Sequence, residues 1–110
     1  MAFRYKLTHH PAAADDFQRA KAYFAEIDDD LAGLFQTDFR AALRGIATGR
    51  LANHLYASGH TIRWVKLSRF SHKVYFEPEG ADERLILAVV SGRRHPSRIR
   101  GMLKRRRKSK

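Results

Sequence analysis

The spacing of apolar side chains changes part of the way along the chain, from a helical period to a strand period. Residues 3–8 alternate apolar and polar positions, which predicts a half-buried strand. Pro11 ends that strand and suits the first turn of a helix, and Asp15 and Asp16 lie near the positive end of the helix dipole. One face of this predicted first helix is apolar at helical spacing and consists of Phe17, Ala20, Phe24 and Ile27.

A second helix is predicted to begin at Leu31, with Asp30 as its N-cap. Its apolar stripe consists of Leu31, Leu34, Phe35, Phe39, Ala42, Leu43 and Ile46, whereas Asp38, Arg40 and Arg44 are predicted to face away from that stripe. Because only a short turn separates the two helices, we expect an antiparallel hairpin. Residues 52–59 form a predicted loop.

The remaining apolar segments have the two-residue period of strands, at 62–67, 72–77 and 84–90. Turn-forming residues at 78–82 predict that the last two strands pair as a hairpin. Residues 85–90 are apolar throughout, as expected of a central strand that is covered on both faces. The sequence therefore predicts a two-layer α+β fold in the order β-α-α-β-β-β, with the helical hairpin packed on a small twisted, mainly antiparallel sheet.

Composition limits the class of protein. A chain of 110 residues has room for one domain, which we place at residues 1–98, and the absence of cysteine excludes disulfides and thiolate chemistry. There is no apolar run long enough to span a membrane and no secretory leader at the start, so we expect a cytoplasmic protein without membrane contact. Residues 99–110 are predicted to be a basic, mobile tail.

The net charge of +11 is concentrated in the second half of the chain. Residues 1–55 have seven acidic and seven basic side chains, and residues 56–110 have four acidic and fifteen basic ones. Such a field attracts polyanions, which include nucleic acid and acidic protein segments. The tail therefore either adds nonspecific affinity for nucleic acid or is simply solvated.

Several basic side chains are candidates for a binding or catalytic role. Arg93 and Arg94 directly follow the predicted central strand, where a rigid element would present them to phosphates or carboxylates. His72 is either a structural histidine or an acid–base group. The predicted sheet also contains a basic cluster, which consists of Arg63, Lys66, Arg69, His72 and Lys73. Aromatic residues are interleaved with this cluster, namely Trp64, Phe70, Tyr75 and Phe76, and we favour core packing over base stacking as the role of these aromatic side chains.

Cofactor and metal chemistry have little support, and we predict neither. His9 and His10 are adjacent and would point to opposite faces of a strand, and residues 28–30 lack the spaced ligands and glycine of a calcium loop. No glycine-rich phosphate loop, carboxylate pair or Ser/His/Asp constellation occurs.

Several segments, taken in order, resemble one family. Tyr5-Lys6-Leu7 is followed by Pro11 and a run of small residues ending in Asp15 and Asp16. Residues 65–76 and 85–96 follow, and the latter form an apolar strand that enters a Gly-Arg-Arg turn. Over about residues 4–98 the chain is similar to the ParE branch of the RelE/ParE toxin superfamily of bacterial toxin–antitoxin modules.

The resemblance implies a non-enzymatic toxin that inhibits DNA gyrase and hence replication. It also implies neutralisation by a cognate, ParD-like antitoxin, whose acidic segment would complement the basic half of the chain and whose helix the apolar face of the helical hairpin would accept. The residues expected to contact the target or the antitoxin are Arg69, Lys73, Arg93 and Arg94.

Two alternatives remain open. RelE-like members are ribosome-dependent messenger endoribonucleases, and here their catalytic groups would be Lys66, Arg69, His72, Lys73, Arg93 and His95. Such members often have a tyrosine near the C-terminus, but no tyrosine follows Tyr75 here, which favours the gyrase-directed branch. The other alternative is a basic nucleic-acid-binding domain without toxicity.

Overall fold

The computed structural model describes residues 3–58 and 60–108. The elements, in chain order, are β1 (Lys6–His9), α1 (Pro11–Ile27), α2 (Asp29–Thr48), β2 (His54–Leu55), β3 (Arg63–Lys66), β4 (Lys73–Pro78), β5 (Glu83–Val90) and α3 (Pro96–Lys108). The first two residues of the predicted domain, Gly59 of the predicted loop and the last two residues of the predicted tail lie outside the described residues.

The strands form one mixed sheet in the order β1-β5-β4-β3-β2. β1 runs parallel to β5, and the other three pairings are antiparallel, with β4 and β5 forming the predicted hairpin. The α+β fold with a helical hairpin on a mainly antiparallel sheet is therefore confirmed. The structure adds β2, a two-residue strand within the predicted loop, and α3, a helix after the sheet.

The central strand β5 is buried on both faces, as its apolar sequence predicts. A register shift opposite Tyr75 and Phe76 puts Leu87 and Ala88 in the same core cluster, after which Val89 returns to the other cluster. This irregularity is a β-bulge, which inserts one residue and changes the direction of the side chains that follow. It determines which face each side chain near the end of β5 occupies.

The helical hairpin covers one face of the sheet, and its aromatic side chains fill the space between the layers. Phe17 of α1 stacks on Phe39 of α2, with ring centroids 4.4 Å apart. Two residues of the predicted apolar stripes do not take part: Ile27 is 59% exposed and Leu34 is 42% exposed. Ile27 is the last residue of α1, and Leu34 lies at the edge of the stripe, beside the fully buried Phe35.

The turn between the helices corrects the predicted start of α2. Its N-cap is Asp28 rather than Asp30, and Asp28 Oδ1 accepts a hydrogen bond of 2.8 Å from the backbone N–H of Asp30. Asp28 has an extended backbone, whereas Asp30 is already helical, so only Asp28 has the conformation of a cap. At the other end α2 continues through Gly45 and stops at Gly49, whose φ of 72° ends the helix in the left-handed region.

Asp38 provides a second correction, because it is buried rather than facing away from the core. Its Oδ2 accepts a hydrogen bond of 2.8 Å from the backbone N–H of Arg69, in the loop between β3 and β4. Burying a carboxylate requires such a donor. The sequence pattern could not show this donor, since it comes from a residue far along the chain.

The predicted mobile tail is also corrected, since most of it belongs to α3. Met102 and Leu103 are 7% and 2% exposed and join the cluster on the face of the sheet opposite to the helical hairpin. Arg106 is held by Asp16, and Arg107 by the buried Glu77. Like charges repel, but here partners on the domain neutralise two of them, and an apolar stripe fixes the helix to the sheet.

Candidate functional site

A groove of about 730 Å³ lies between α1, the β3–β4 loop and the turn that follows β5. One wall is formed by the side of α1 from Asp16 to Ile27, and the opposite wall by residues 69–72 and 91–94. The apolar lining includes the exposed Tyr23 and Ile27.

The groove is strongly basic. Its cationic side chains are Arg19, Arg69, Arg93 and Arg94, and the single carboxylate among its lining residues is that of Asp16. That carboxylate already pairs with Arg19 and Arg106. An anionic ligand would therefore meet several guanidinium groups and little opposing charge.

Close packing between two loops holds the basic wall together. The carboxylate of Asp38 fixes the backbone of Arg69 by accepting a hydrogen bond from its N–H. The guanidinium group of Arg69 also lies near this carboxylate, with Nε 3.9 Å from Oδ1. Gly92 lies against Ser71, and a Cβ at Gly92 would be only 2.8 Å from the carbonyl oxygen of Ser71. The absence of a side chain at position 92 thus lets the turn carrying Arg93 approach the loop carrying Arg69.

His72 lies at the edge of the aromatic core and lines the groove. Its ring makes edge contacts with Phe24 and Phe35, at centroid distances of 5.7 and 5.0 Å, and with Phe70 at 6.5 Å. Its Nδ1 is buried and has no hydrogen-bond partner among the described residues. Burial lowers the pKa of His72, so the imidazole is neutral near pH 7.

The predicted site residues do not all come together. Arg69, His72, Arg93 and Arg94 line the groove. Lys66 of β3 and Lys73 of β4 are opposite each other in the strand register. Their neighbours Val65 and Val74 pack under the helices, so the alternation of side chains places the two lysines on the other face of the sheet. Lys73 Nζ lies 4.2 Å from the ring centroid of Trp64, away from the groove.

His95 has a local structural role. Its Nδ1 accepts a hydrogen bond from the backbone N–H of Ser97 and lies 2.8 Å from the hydroxyl oxygen of Ser97, at the start of α3. The histidine therefore caps the helix rather than lining the groove. His10 has the same role in α1, where its Nδ1 accepts from the N–H of Ala12.

The aromatic side chains of the sheet are mainly structural, as predicted. Tyr75 and Phe76 are 3% and 1% exposed, and Phe70 packs against the cluster beneath the helices. Trp64 stacks on His54, with centroids 4.4 Å apart, at the outer edge of the sheet. These rings do not form the exposed series of platforms that unpaired bases need.

Sequence reasoning did not find Arg19, Tyr23 or Gly92 as parts of this groove. Arg19 had a signal, since it follows Asp16 by three positions and forms an ion pair with it on the exposed side of α1. Gly92 was predicted as part of the Gly-Arg-Arg turn, but its close contact with Ser71 depends on the tertiary structure. Tyr23 had no signal, because its importance depends on how α1 packs beside loops that lie far away in the sequence.

Within residues 3–58 and 60–108 no cluster of three or more histidine, cysteine, aspartate or glutamate side chains could hold a metal ion. None of the helices in this part of the chain has the length and hydropathy needed to cross a membrane. Comparison of the chain with protein-family models, curated proteins and solved structures finds no match in any of the three.

Proposed function

We propose that the chain is a ParE-like toxin of a type II toxin–antitoxin module. In this proposal it arrests growth by binding DNA gyrase through the groove, without catalysis, and a cognate antitoxin with an acidic segment neutralises it. The proposed contact residues are Arg69, Arg93 and Arg94, and Lys73 is left out because it lies on the other face of the sheet.

The separation of the basic side chains is the observation that favours binding over cleavage. A ribonuclease needs a base for the attacking 2′-hydroxyl, a cation for the phosphorane and an acid for the leaving oxygen, all around one phosphate. Of the six candidates for those roles, Lys66 and Lys73 are on the far face of the sheet and His95 caps a helix. The candidates left in the groove are two arginines of fixed charge, Arg69 and Arg93, and a neutral, half-buried His72.

The groove has the chemistry to hold an extended or helical segment that is both acidic and apolar. Guanidinium groups on one wall match carboxylates, and the side of α1 that includes Tyr23 and Ile27 offers apolar contact. The apolar face of the helical hairpin itself is buried against the sheet, so an antitoxin helix would meet this exposed side of α1 instead.

Pulse labelling after induction in a bacterial host tests the proposed target. We expect thymidine incorporation to fall within the first minutes, while methionine incorporation continues. An early collapse of methionine incorporation would instead support the ribosome-dependent ribonuclease, and the gyrase proposal would then be wrong.

Two double variants of equal charge change test the proposed site. Arg93→Ala/Arg94→Ala should abolish the growth arrest, because it removes two groove cations, whereas Lys66→Ala/Lys73→Ala should leave the arrest intact. Circular dichroism of each purified variant checks that it is folded. Loss of arrest only in the lysine variant would contradict the assignment of the groove.

A further inference from the structure

The solvent side of α3 is a dense row of positive charge. Ile99, Met102 and Leu103 turn one side of the helix toward the sheet. The cations on the remaining circumference are Arg98, Arg100, Lys104, Arg105 and Lys108, together with Arg107 at its border, which pairs with Glu77. There is no acidic residue from Arg93 to the end of the sequence, so no carboxylate of the helix itself offsets them.

Two ion pairs neutralise cations on the inner side of α3, which faces the sheet, whereas the cations of its outer side face solvent. Arg106 donates to both oxygens of Asp16, at 2.6 and 3.1 Å, and also to the carbonyl of Leu87. Arg107 Nε lies 3.0 Å from Glu77 Oε2. Among the described residues, no other cation of the helix forms an ion pair with a carboxylate.

These inner contacts also hold the outer charges in a fixed arrangement. The 13 residues of α3 extend over about 20 Å, and the buried side is attached to the sheet by the apolar stripe and by Arg106. A polyanion would therefore meet a helix that is already formed. It would not have to order a flexible tail, which would reduce the affinity.

The shape of this face selects double-stranded DNA. α1 and α2 lie on the other side of the sheet, so α3 is the one helix that the described chain places on this side. A helix about 10–12 Å across fits the major groove of B-form DNA, which is about 12 Å wide, but not the narrow major groove of duplex RNA. On this face Tyr75 is buried and Tyr56 and Trp64 are partly buried in the same cluster, so the face does not present a series of open aromatic platforms for unpaired bases.

We propose that the outer face of α3 binds double-stranded DNA through its backbone phosphates. This binding is separate from the gyrase-directed groove and does not depend on it. Its affinity comes from the phosphates, because the polar side chains on this face are almost all cations and a cation can reach a backbone phosphate whatever the base sequence.

Binding of a labelled 20-base-pair duplex by the purified protein, followed by fluorescence anisotropy between about 50 and 200 mM salt, tests the proposal. The variant Lys104→Gln/Arg105→Gln/Lys108→Gln removes three outer charges, and Arg40→Gln/Arg44→Gln/Arg50→Gln removes three exposed charges at α2. We expect the α3 variant to bind at least about tenfold more weakly and its salt dependence to flatten by about two to three ions, while the α2 variant stays within about threefold of the parent.

Equal weakening by the two variants would overturn the proposal, since net charge rather than the α3 face would then be responsible. Tighter binding of single-stranded DNA, duplex RNA or an acidic peptide than of the duplex would also overturn it. Because the three substituted side chains are exposed, thermal unfolding of the α3 variant should match that of the parent. These measurements need no toxicity assay, so their failure is distinct from failure of the gyrase proposal.

Discussion

At His72 the fold puts an imidazole against phenylalanine rings and leaves one ring nitrogen buried without a partner. Protonation would add a positive charge at a place where burial already disfavours it, and the pKa of His72 is lowered from its usual value of 6.5 for that reason. The groove therefore gains a neutral aromatic surface beside its arginines rather than an additional cation.

This environment predicts a loss of stability on mild acidification. The unfolded chain takes up a proton on His72 as the pH falls below about 6.5, while the folded chain takes it up only at lower pH, so the free energy of unfolding decreases as the pH drops. His72→Phe should unfold at pH 7.5 in at least as much urea as the parent and should show a smaller decrease at pH 5.5.

His9 provides a comparison for this measurement, because desolvation lowers its pKa as well, although the residue is more exposed than His72. His9→Gln should remove a separate part of the pH dependence, and urea melts at both pH values report the two contributions. A His72→Phe variant that loses stability on acidification as steeply as the parent would contradict this account of His72.

Among single residues, the sequence identified those whose role depends on their own chain neighbours and missed those that depend on distant ones. Pro11 begins α1 and Tyr75 is buried, as the pattern predicts. Asp38 was placed at the surface because it is charged, although its position three residues after Phe35 and four before Ala42 puts it on the buried side of α2. Its partner, the backbone N–H of Arg69, comes from a loop that only the tertiary structure brings near.

At the scale of elements, α3 is the largest difference between prediction and structure. Ten basic residues and no acidic one between Arg93 and Lys110 suggest a chain that repels itself and stays solvated. Yet Ile99, Met102 and Leu103 have the spacing of a narrow apolar stripe on one side of a helix. That stripe is effective only because the sheet presents an apolar second face, which the helical hairpin alone leaves uncovered.

Packing of α3 can be tested at its most buried side chain. Leu103→Ala should lower the free energy of unfolding by about 2–4 kcal/mol, because it leaves a cavity between α3 and the sheet. The neighbouring Lys104→Ala, at an exposed position, should change it by less than about 0.5 kcal/mol. Urea unfolding curves measure both, and equal stability of the two variants would mean that α3 does not contribute to the core.

At the scale of the whole molecule, Asp16 connects both sides of the sheet. It belongs to α1 on one side, accepts from the backbone N–H of Val89 at 3.0 Å within the sheet, and binds Arg106 of α3 from the other side. It reaches β5 beyond the end of its pairing with β1, which covers only Glu83 to Ile86. The carboxylate thus accepts a hydrogen bond from a backbone N–H on the part of the β5 edge that β1 does not cover. It also connects α1, β5 and α3.

Asp16→Asn should therefore be costly. The change removes the charge that compensates a largely buried Arg106 and weakens its bidentate pairing, and we expect the free energy of unfolding to fall by about 3 kcal/mol. Arg19→Gln removes the other cation paired with Asp16, but its side chain is 71% exposed, so that change should cost less than about 0.5 kcal/mol. Denaturant unfolding curves of the two variants should give clearly different free energies of unfolding. Similar free energies would show that the Asp16–Arg106 pair adds little to stability.

The parallel pairing of β1 with β5 has a consequence for the order in which the molecule assembles. The β4–β5 hairpin and the pair α1–α2 join segments that are neighbours in the chain, and such contacts form early. The backbone of β1, beginning at Lys6, can pair with β5, beginning at Glu83, only after the whole intervening chain has been brought into place. This pairing therefore requires the closure of a long loop. β1 should thus join late and be the first strand to detach, so that Leu7→Ala would accelerate unfolding and leave the folding rate almost unchanged in stopped-flow measurements.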